Sequence, residues 1–517
     1  MKMRASDTVK VSTFLQDPWV GPAVVREVDQ AMVGNDLAND RVRISDKRPK
    51  ARPDSLGNYR MKPGSDGETQ VHAQVVTTRT LRMWEGYRGS SIPWGFGDAL
   101  LGVVPHKKEG LNASYSRESG ATSFYFQDSP RLKKTVYVAN STDVVAHETG
   151  HAVLDGMKPG FLNSFDRETH SFHEAFGDCS AMLLALQDPA LNERIIAQTG
   201  GDLRKPNLLA HLSEEFGKAK KLANADLADD HQDWLRNALN HFTYATPESL
   251  GDGRGDETTL GGEVHSFSRL FVGAFYDCLE AAYHEGMRDQ LLPPAQALRY
   301  AADTMGPLLA SAVDKAASNR GRFKDIGLGL ILADQESHSG KLGRAIEKVF
   351  LDRKIFQPGD VSASMVRHID LPELSVDHTF SSGAEAVGYL TQHSQELGLP
   401  EGVSWQSSTM SVNHKGEQVM GFLYAQSVPV AGIPALQGIT TCVQGGVTLA
   451  FDTQRQLCEF RHDAVTAESL QAEMDGIAEL QRKGRIGSGG SGQDGPGYLA
   501  VVRGKTLRRI PVTDSEW

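Results

Sequence analysis

Apolar positions along this chain change period twice. Residues 76–142 alternate polar and apolar, as in V-V-T-T-R-T-L-R-M and S-F-Y-F, which predicts a β-rich lobe broken by Gly-rich turns at 86–98. Residues 143–355 turn to helical spacing. V-V-A-H-E-T-G-H-A-V-L predicts a buried helix, and L-F-V-G-A-F-Y-D-C-L a second one from Ser268. Further helices are expected around 291–317 and 341–352, and the polar stretch 200–233 reads as a solvated helix pair. After residue 356 the alternation returns in V-S-W-Q-S-S-T-M-S-V and Q-V-M-G-F-L-Y-A. A helix Ala467–Lys483, a flexible Gly/Ser loop at 487–497 and a last strand Tyr498–Val502 follow. Residues 1–75, rich in Asp, Arg, Pro and Gly, read as an irregular extension. The expected class is α+β, with four segments: 1–75, 76–142, 143–355 and a separate α+β domain at 356–517.

The first helix of the second segment carries His147, Glu148 and His151, an H-E-x-x-H motif. Residues four apart share a helical face, with Cβ atoms ~6 Å apart. Two imidazoles so placed can hold one Zn²⁺ at ~2.0–2.1 Å each, with Glu148 available as a general base. A catalytic zinc needs a third protein ligand. Glu174, in H-E-A-F-G-D, is the candidate, and Asp178 four residues on shares its face. Asp178 would accept the Nδ1–H of His147 and orient that ring.

These motifs resemble the thermolysin family of zinc endopeptidases, with the fungalysins as cousins. Three more segments match in the family's order, so the resemblance spans about residues 75–355. G-G-E-V-H-S-F-S-R-L-F resembles the segment whose histidine binds the oxyanion of the tetrahedral intermediate, a role that falls on His265. Leu235-Arg236-Asn237 resembles the arginine that holds a substrate carbonyl. Leu111-Asn112-Ala113-Ser114-Tyr115 resembles the edge that pairs with the substrate backbone, giving Asn112 and Ala113 a substrate-binding role. The resemblance implies a two-lobed peptidase with zinc in the cleft, one Zn²⁺ per chain. His147, His151 and Glu174 are then the ligands and Glu148 the base that activates the attacking water to cut internal peptide bonds.

The sequence departs from the family in several places. The insert before Glu174 brings His170, His173, Asp166 and Glu168 near the motif as alternative third ligands. Phe161 and Phe165 stand where the family's second oxyanion donor, a tyrosine, is expected. Asp256 is a distant candidate to orient His265. Asp143 matches a family calcium ligand, but Ala185 replaces a further acidic one, which argues against structural Ca²⁺. Two other classes stay open on the residues. One is a zinc amide hydrolase or exopeptidase, although no group closing one end of the cleft is identifiable. The other is a catalytically weakened zinc-binding interaction protein, which the missing tyrosine favours and the retained Glu148 disfavours.

Composition narrows the partners. The 517 residues are ample for a large core and for two to four domains. A net charge of −11 argues against nucleic acid as a partner. No apolar run suits a membrane span, and the N-terminus has no apolar signal core. A cytoplasmic protein, or one exported by a non-classical route, is expected. The expected substrate is a peptide or protein, with the last domain available for a partner or for self-inhibition. Cys179 and Cys278 read as buried thiols; Cys442 and Cys458 could pair across strands, though the reduced state is favoured.

Overall fold

The computed structural model describes residues 8–223, 234, 236–488 and 498–513. The first 75 residues are not irregular. Strands β1 (Thr8–Thr13) and β2 (Val24–Asp29) form an antiparallel hairpin, followed by the single-turn helix α1 (Gln30–Val33) and strand β3 (Val42–Ile44). Helix α2 (Asp66–Arg88) then crosses the expected boundary at residue 76 and absorbs the run read as a strand. Its ends carry ordinary helix signals. Ser65 Oγ accepts from Glu68 N, Glu68 Oε2 accepts from Gly64 N, and Gly89 closes the helix at φ 75°. The polar–apolar alternation misleads because α2 is buried on most sides. Two of its threonines bond back into the helix: Thr78 Oγ1 donates to Gln74 O and Thr80 Oγ1 to Val76 O, each at 2.9 Å.

The same helix buries His72, whose Nδ1 accepts from Phe14 N at 3.2 Å. Burial, aided by the charges of Arg26 and Arg79, pushes this imidazole from 6.5 down to about 3. Between those values the folded chain binds fewer protons than the unfolded chain. Stability is therefore full above about pH 6.5 and falls as pH drops toward 3. His72→Asn keeps an acceptor for Phe14. Its unfolding free energy is expected to fall less steeply between pH 6.5 and 4, by up to ~1.4 kcal/mol per pH unit. Superimposable pH profiles of thermal unfolding for the two chains would remove His72 from this account.

The β-rich reading holds further on. Strands β4 (Leu101–Val104), β5 (Ala113–Ser116) and β6 (Ala121–Phe124) join β3 in a four-stranded sheet of order β3-β4-β6-β5, so β5 is an outer strand. Strands β7 (Phe126–Ser129) and β8 (Lys134–Tyr137) make a separate hairpin.

Helices dominate the next segment. They are α3 (Thr142–Met157), α4 (Arg167–Ala185) and α5 (Pro189–Thr199), then α6 (Glu214–Ala223), α7 (Val264–Asp289), α8 (Pro294–Lys315), α9 (Phe323–Ser337) and α10 (Gly343–Asp352). The short strands β9 (His211–Leu212) and β10 (Arg236–Asn237) pair antiparallel between α5 and α7. Of the expected solvated helix pair, residues 224–233 lie outside the described residues, as does Leu235. Helices α3 and α4 are buried along their whole lengths. Trp84 of α2 holds α4 by stacking on Phe176 (4.3 Å) and donating to Ser180 Oγ (3.0 Å). Two glycines let α3 and α4 meet closely. A Cβ on Gly150 would stand 2.5 Å from Ser180 Oγ, and one on Gly177 2.6 Å from His147 Nδ1.

The last segment begins with helices α11 (Asp360–Ile369) and α12 (Gly383–Gln392). Strands β11 (Gln406–Val412), β12 (Gln418–Pro429), β13 (Thr440–Phe451) and β14 (Leu457–Asp463) lead to α13 (Ala467–Arg482). Strands β15 (Ile486–Ser488), β16 (Ala500–Arg503) and β17 (Thr506–Arg509) complete a seven-stranded sheet. The final strand expected at Tyr498–Val502 is thus shifted, and residues 489–497 of the expected loop lie outside the described residues. This α+β unit has a core of its own around Phe422, Val447 and Leu449. Buried polar groups join it to the helical segment. Lys158, at the C-cap of α3, donates to Asp314 O, Ala316 O and Thr448 Oγ1. Glu473 of α13 accepts from Ser164 Oγ and Phe165 N, each at 2.6 Å. Phe165 packs with Ile477 and Leu507. Among the described residues no helix is long and apolar enough to cross a membrane. All four cysteines are free, including Cys442 and Cys458.

Candidate metal centre

Helices α3 and α4 bring three donors together. His147 Nε2 lies 3.3 Å from Glu174 Oε2, and His151 Nε2 lies 3.4 Å from Glu174 Oε1. All three side chains are buried, and the group could hold a metal ion. Bonds of ~2.0–2.1 Å in a tetrahedron put neighbouring donors roughly 3.3 Å apart. Both His–Glu separations are close to that spacing, one to each Glu174 oxygen. Glu174 Oε2 is buried with its nearest nitrogens, His147 Nε2, His265 Nε2 and Arg236 Nη1, at 3.3, 3.5 and 3.7 Å, longer than good hydrogen bonds, so a cation would satisfy it better. Two imidazoles and one carboxylate are the donor set of borderline metals rather than of calcium or magnesium.

The supporting residues fix both rings. His147 Nδ1 and Asp178 Oδ1 are 2.8 Å apart. With Asp178 accepting the proton on Nδ1, His147 presents Nε2 to the centre. Burial and the nearby Arg236 push this imidazole down, but its bonds to Asp178 and Glu174 carry it above its ordinary value. A cation held there would take the place of that stabilising charge. His151 Nδ1 lies 2.8 Å from His173 Nδ1. Burial, then the charges of His147 and His173, holds His151 well below the usual range, so it is neutral, as a ligand must be.

This arrangement decides among the alternative third ligands. His173 supports His151, and His170 Nε2 binds Ser164 O at 2.7 Å. Asp166 caps the N-terminus of α4, and Glu168 accepts from Tyr244 OH and Phe323 N. None of these four joins the donor group, which Glu174 completes. Glu148 lies buried between the two histidines on α3.

Two predicted residues reach the centre from elsewhere. Strand β10 delivers Arg236, whose Nε sits 2.9 Å from Asp178 Oδ2 and whose Nη1 sits 3.7 Å from Glu174 Oε2. The first turn of α7 delivers His265, with Nε2 3.5 Å from Glu174 Oε2. Its Nδ1 is 2.6 Å from Glu263 Oε1. Glu263 also caps α7 by accepting from Ser266 N. Burial pushes the Glu263 carboxyl up, but the His265 charge and hydrogen bond outweigh this and hold it below the usual range. Glu263 therefore does what was sought from Asp256, which instead binds Thr258 and Thr259 in an exposed turn. The signal was available: an acidic N-cap two residues before the histidine.

The remaining residues divide. Phe161 is core, and Phe165 packs against the last segment. Asp143 accepts from Gln16 Nε2 and Ser213 N, both at 3.2 Å. Asn112 and Ala113 are not part of the donor group. Ala113 begins the outer strand β5 and Asn112 directly precedes it; Tyr115 OH ties this strand to the motif helix through Asp155 Oδ2 at 2.7 Å. A pocket beside Glu174 is walled by His173 on one side and by Leu480, Arg485, Arg509 and Thr513 of the last segment on the other. No protein-family model matches the chain, and no curated protein matches it in sequence.

Proposed function

We propose that the chain is a zinc metalloendopeptidase with a thermolysin-like two-lobed arrangement. The observation that carries the reading is the buried His147–His151–Glu174 group, with its ligand atoms all within 4.8 Å of one another and Asp178 on the outer nitrogen of His147. Zinc, when bound, supplies a Lewis acid and lowers the pKa of a coordinated water to about 7. The chain's own residues do the rest. Glu148 takes the proton of the attacking water and delivers it to the leaving amine nitrogen. His265 donates from Nε2 to the carbonyl oxygen as it gains charge, while Glu263 holds its other nitrogen. Arg236, braced by Asp178, binds a substrate carbonyl, and the β5 edge keeps the peptide extended.

The test is to quantify zinc in the purified chain and incubate it with a denatured protein mixture, before and after chelation and readdition of zinc. About one equivalent of zinc, internal cleavages and recovery on readdition are expected. Products released only from chain ends would replace the endopeptidase reading with an exopeptidase. Full zinc occupancy without cleavage by the chain shortened as described below would defeat it.

A further inference from the structure

We propose that the outer edge of β5 is a docking site for an extended peptide and that the chain's own Ile510–Thr513 already fills it as an internal occupant. The identification of that edge with substrate binding rests on the peptidase reading; the occupancy rests on contacts. Strand β5 pairs with β6 on one side only. On its other side Tyr115 N donates to Thr513 Oγ1 (3.0 Å), and Thr513 N donates to Tyr115 O (3.1 Å). Arg117 N donates to Pro511 O (3.0 Å), and Ser116 bridges Val512 in antiparallel register. Tyr115 of β5 and Arg117 just beyond it thus present their main chain to the segment, as an edge strand presents itself to an added peptide.

Three features separate this from a simple tie. The β5 side of each contact is main chain, so any extended peptide could reproduce most of the set. Proline at 511 costs nothing, since only its carbonyl is used. The segment also ends at the centre: Thr513 lines the pocket that His173 and Glu174 share. Finally, β5 is anchored to the metal-binding helix through Tyr115 and Arg117, both bonded to Asp155. A peptide on this edge is therefore held in register with the donor group, and so is the segment that excludes it.

A tethered occupant competes at an effective concentration of order mM. Removing it should lower the KM for an extended peptide roughly ten- to hundredfold and leave kcat little changed, because the donor group is untouched. The experiment compares the full chain with one ending at Arg509. The probe is a labelled synthetic peptide, Ile-Pro-Val-Thr-Asp-Ser-Glu-Trp, copied from the chain's last eight residues. The shortened chain is expected to bind it in trans where the full chain does not. Amide hydrogens of Tyr115 and Arg117 should exchange faster after shortening and be protected again by the probe. Thr513→Pro in the full chain, which removes both the N–H and the hydroxyl that face Tyr115, should give the same changes in part. This second variant decides the matter if the shortened chain does not fold.

Unchanged exchange at Tyr115, no probe binding and unaltered KM in a folded variant would overturn the proposal and leave the peptidase reading standing. Probe binding with restored protection, but no peptide hydrolysis, would uphold the docking site and count against the peptidase reading.

Discussion

Glu148→Gln is expected to abolish peptide hydrolysis while leaving the metal content unchanged. The substitution keeps the shape of the side chain and removes its ability to take a proton. General-base catalysis is worth about 10²–10⁴-fold, and the same group also returns the proton to the leaving amine, so the upper end of that range is expected. Because His147, His151 and Glu174 are untouched, metal binding should persist. Glu148 is buried, so an amide there is tolerated more easily than a charge and unfolding should move little. Steady-state cleavage of a quenched peptide, alongside metal analysis of the same preparations, provides the check. A variant retaining more than about a tenth of the activity would show that another group takes the proton.

Asp178→Asn should have the second largest effect, and on two quantities at once. One carboxylate serves two buried donors, with Oδ1 2.8 Å from His147 Nδ1 and Oδ2 2.9 Å from Arg236 Nε. An amide offers one acceptor and turns a donor toward the other partner. If His147 loses its acceptor, metal affinity should fall about 10–100-fold, the usual effect of removing the group that orients a ligand. Arg236 meanwhile loses its nearest counter-charge. Breaking a buried ion pair costs about 3–5 kcal/mol; with Glu174 Oε2 still 3.7 Å away, the lower end is expected. Competition with a coloured chelator measures the first quantity and urea unfolding the second. Wild-type values for both would mean that Asp178 does not support the centre.

The donor group was legible because its logic is local. Two histidines four apart on an apolar helix, and an acidic pair four apart on the next, follow from helical geometry alone. The structure brings those helices together with Gly150 and Gly177 at the contact, a detail that no motif names. Helix α2 was misread for the converse reason. Its polar positions, from Gln70, His72 and Gln74 to Thr78 and Thr80, are buried, and those two threonines bond back into the helix, so alternation there carries no information about faces. Its caps, Ser65 with Glu68 and then Gly89, were the better signal. Glu263 was overlooked because an aspartate farther upstream was sought, although the N-cap of α7 already had to bear an acceptor. His173 was read as a spare ligand, whereas its place one residue before Glu174 sets it beside the other ring. The joint between Tyr115 and Thr513 had no local signature: 398 residues separate the partners.

That separation sets an order of events during synthesis. Contacts between distant residues form late, because the whole intervening loop must close first. Ribosomes add about 5–20 residues per second, and domains generally begin folding from the N-terminal side. The four-stranded sheet, α3 and α4 therefore emerge tens of seconds before residue 513. Throughout that interval β5 has an uncovered backbone, and the apolar surface around Phe165 lacks Ile477 and Leu507. The nascent chain thus carries an uncovered strand edge tied to the helix of His147 and His151 until translation is almost finished.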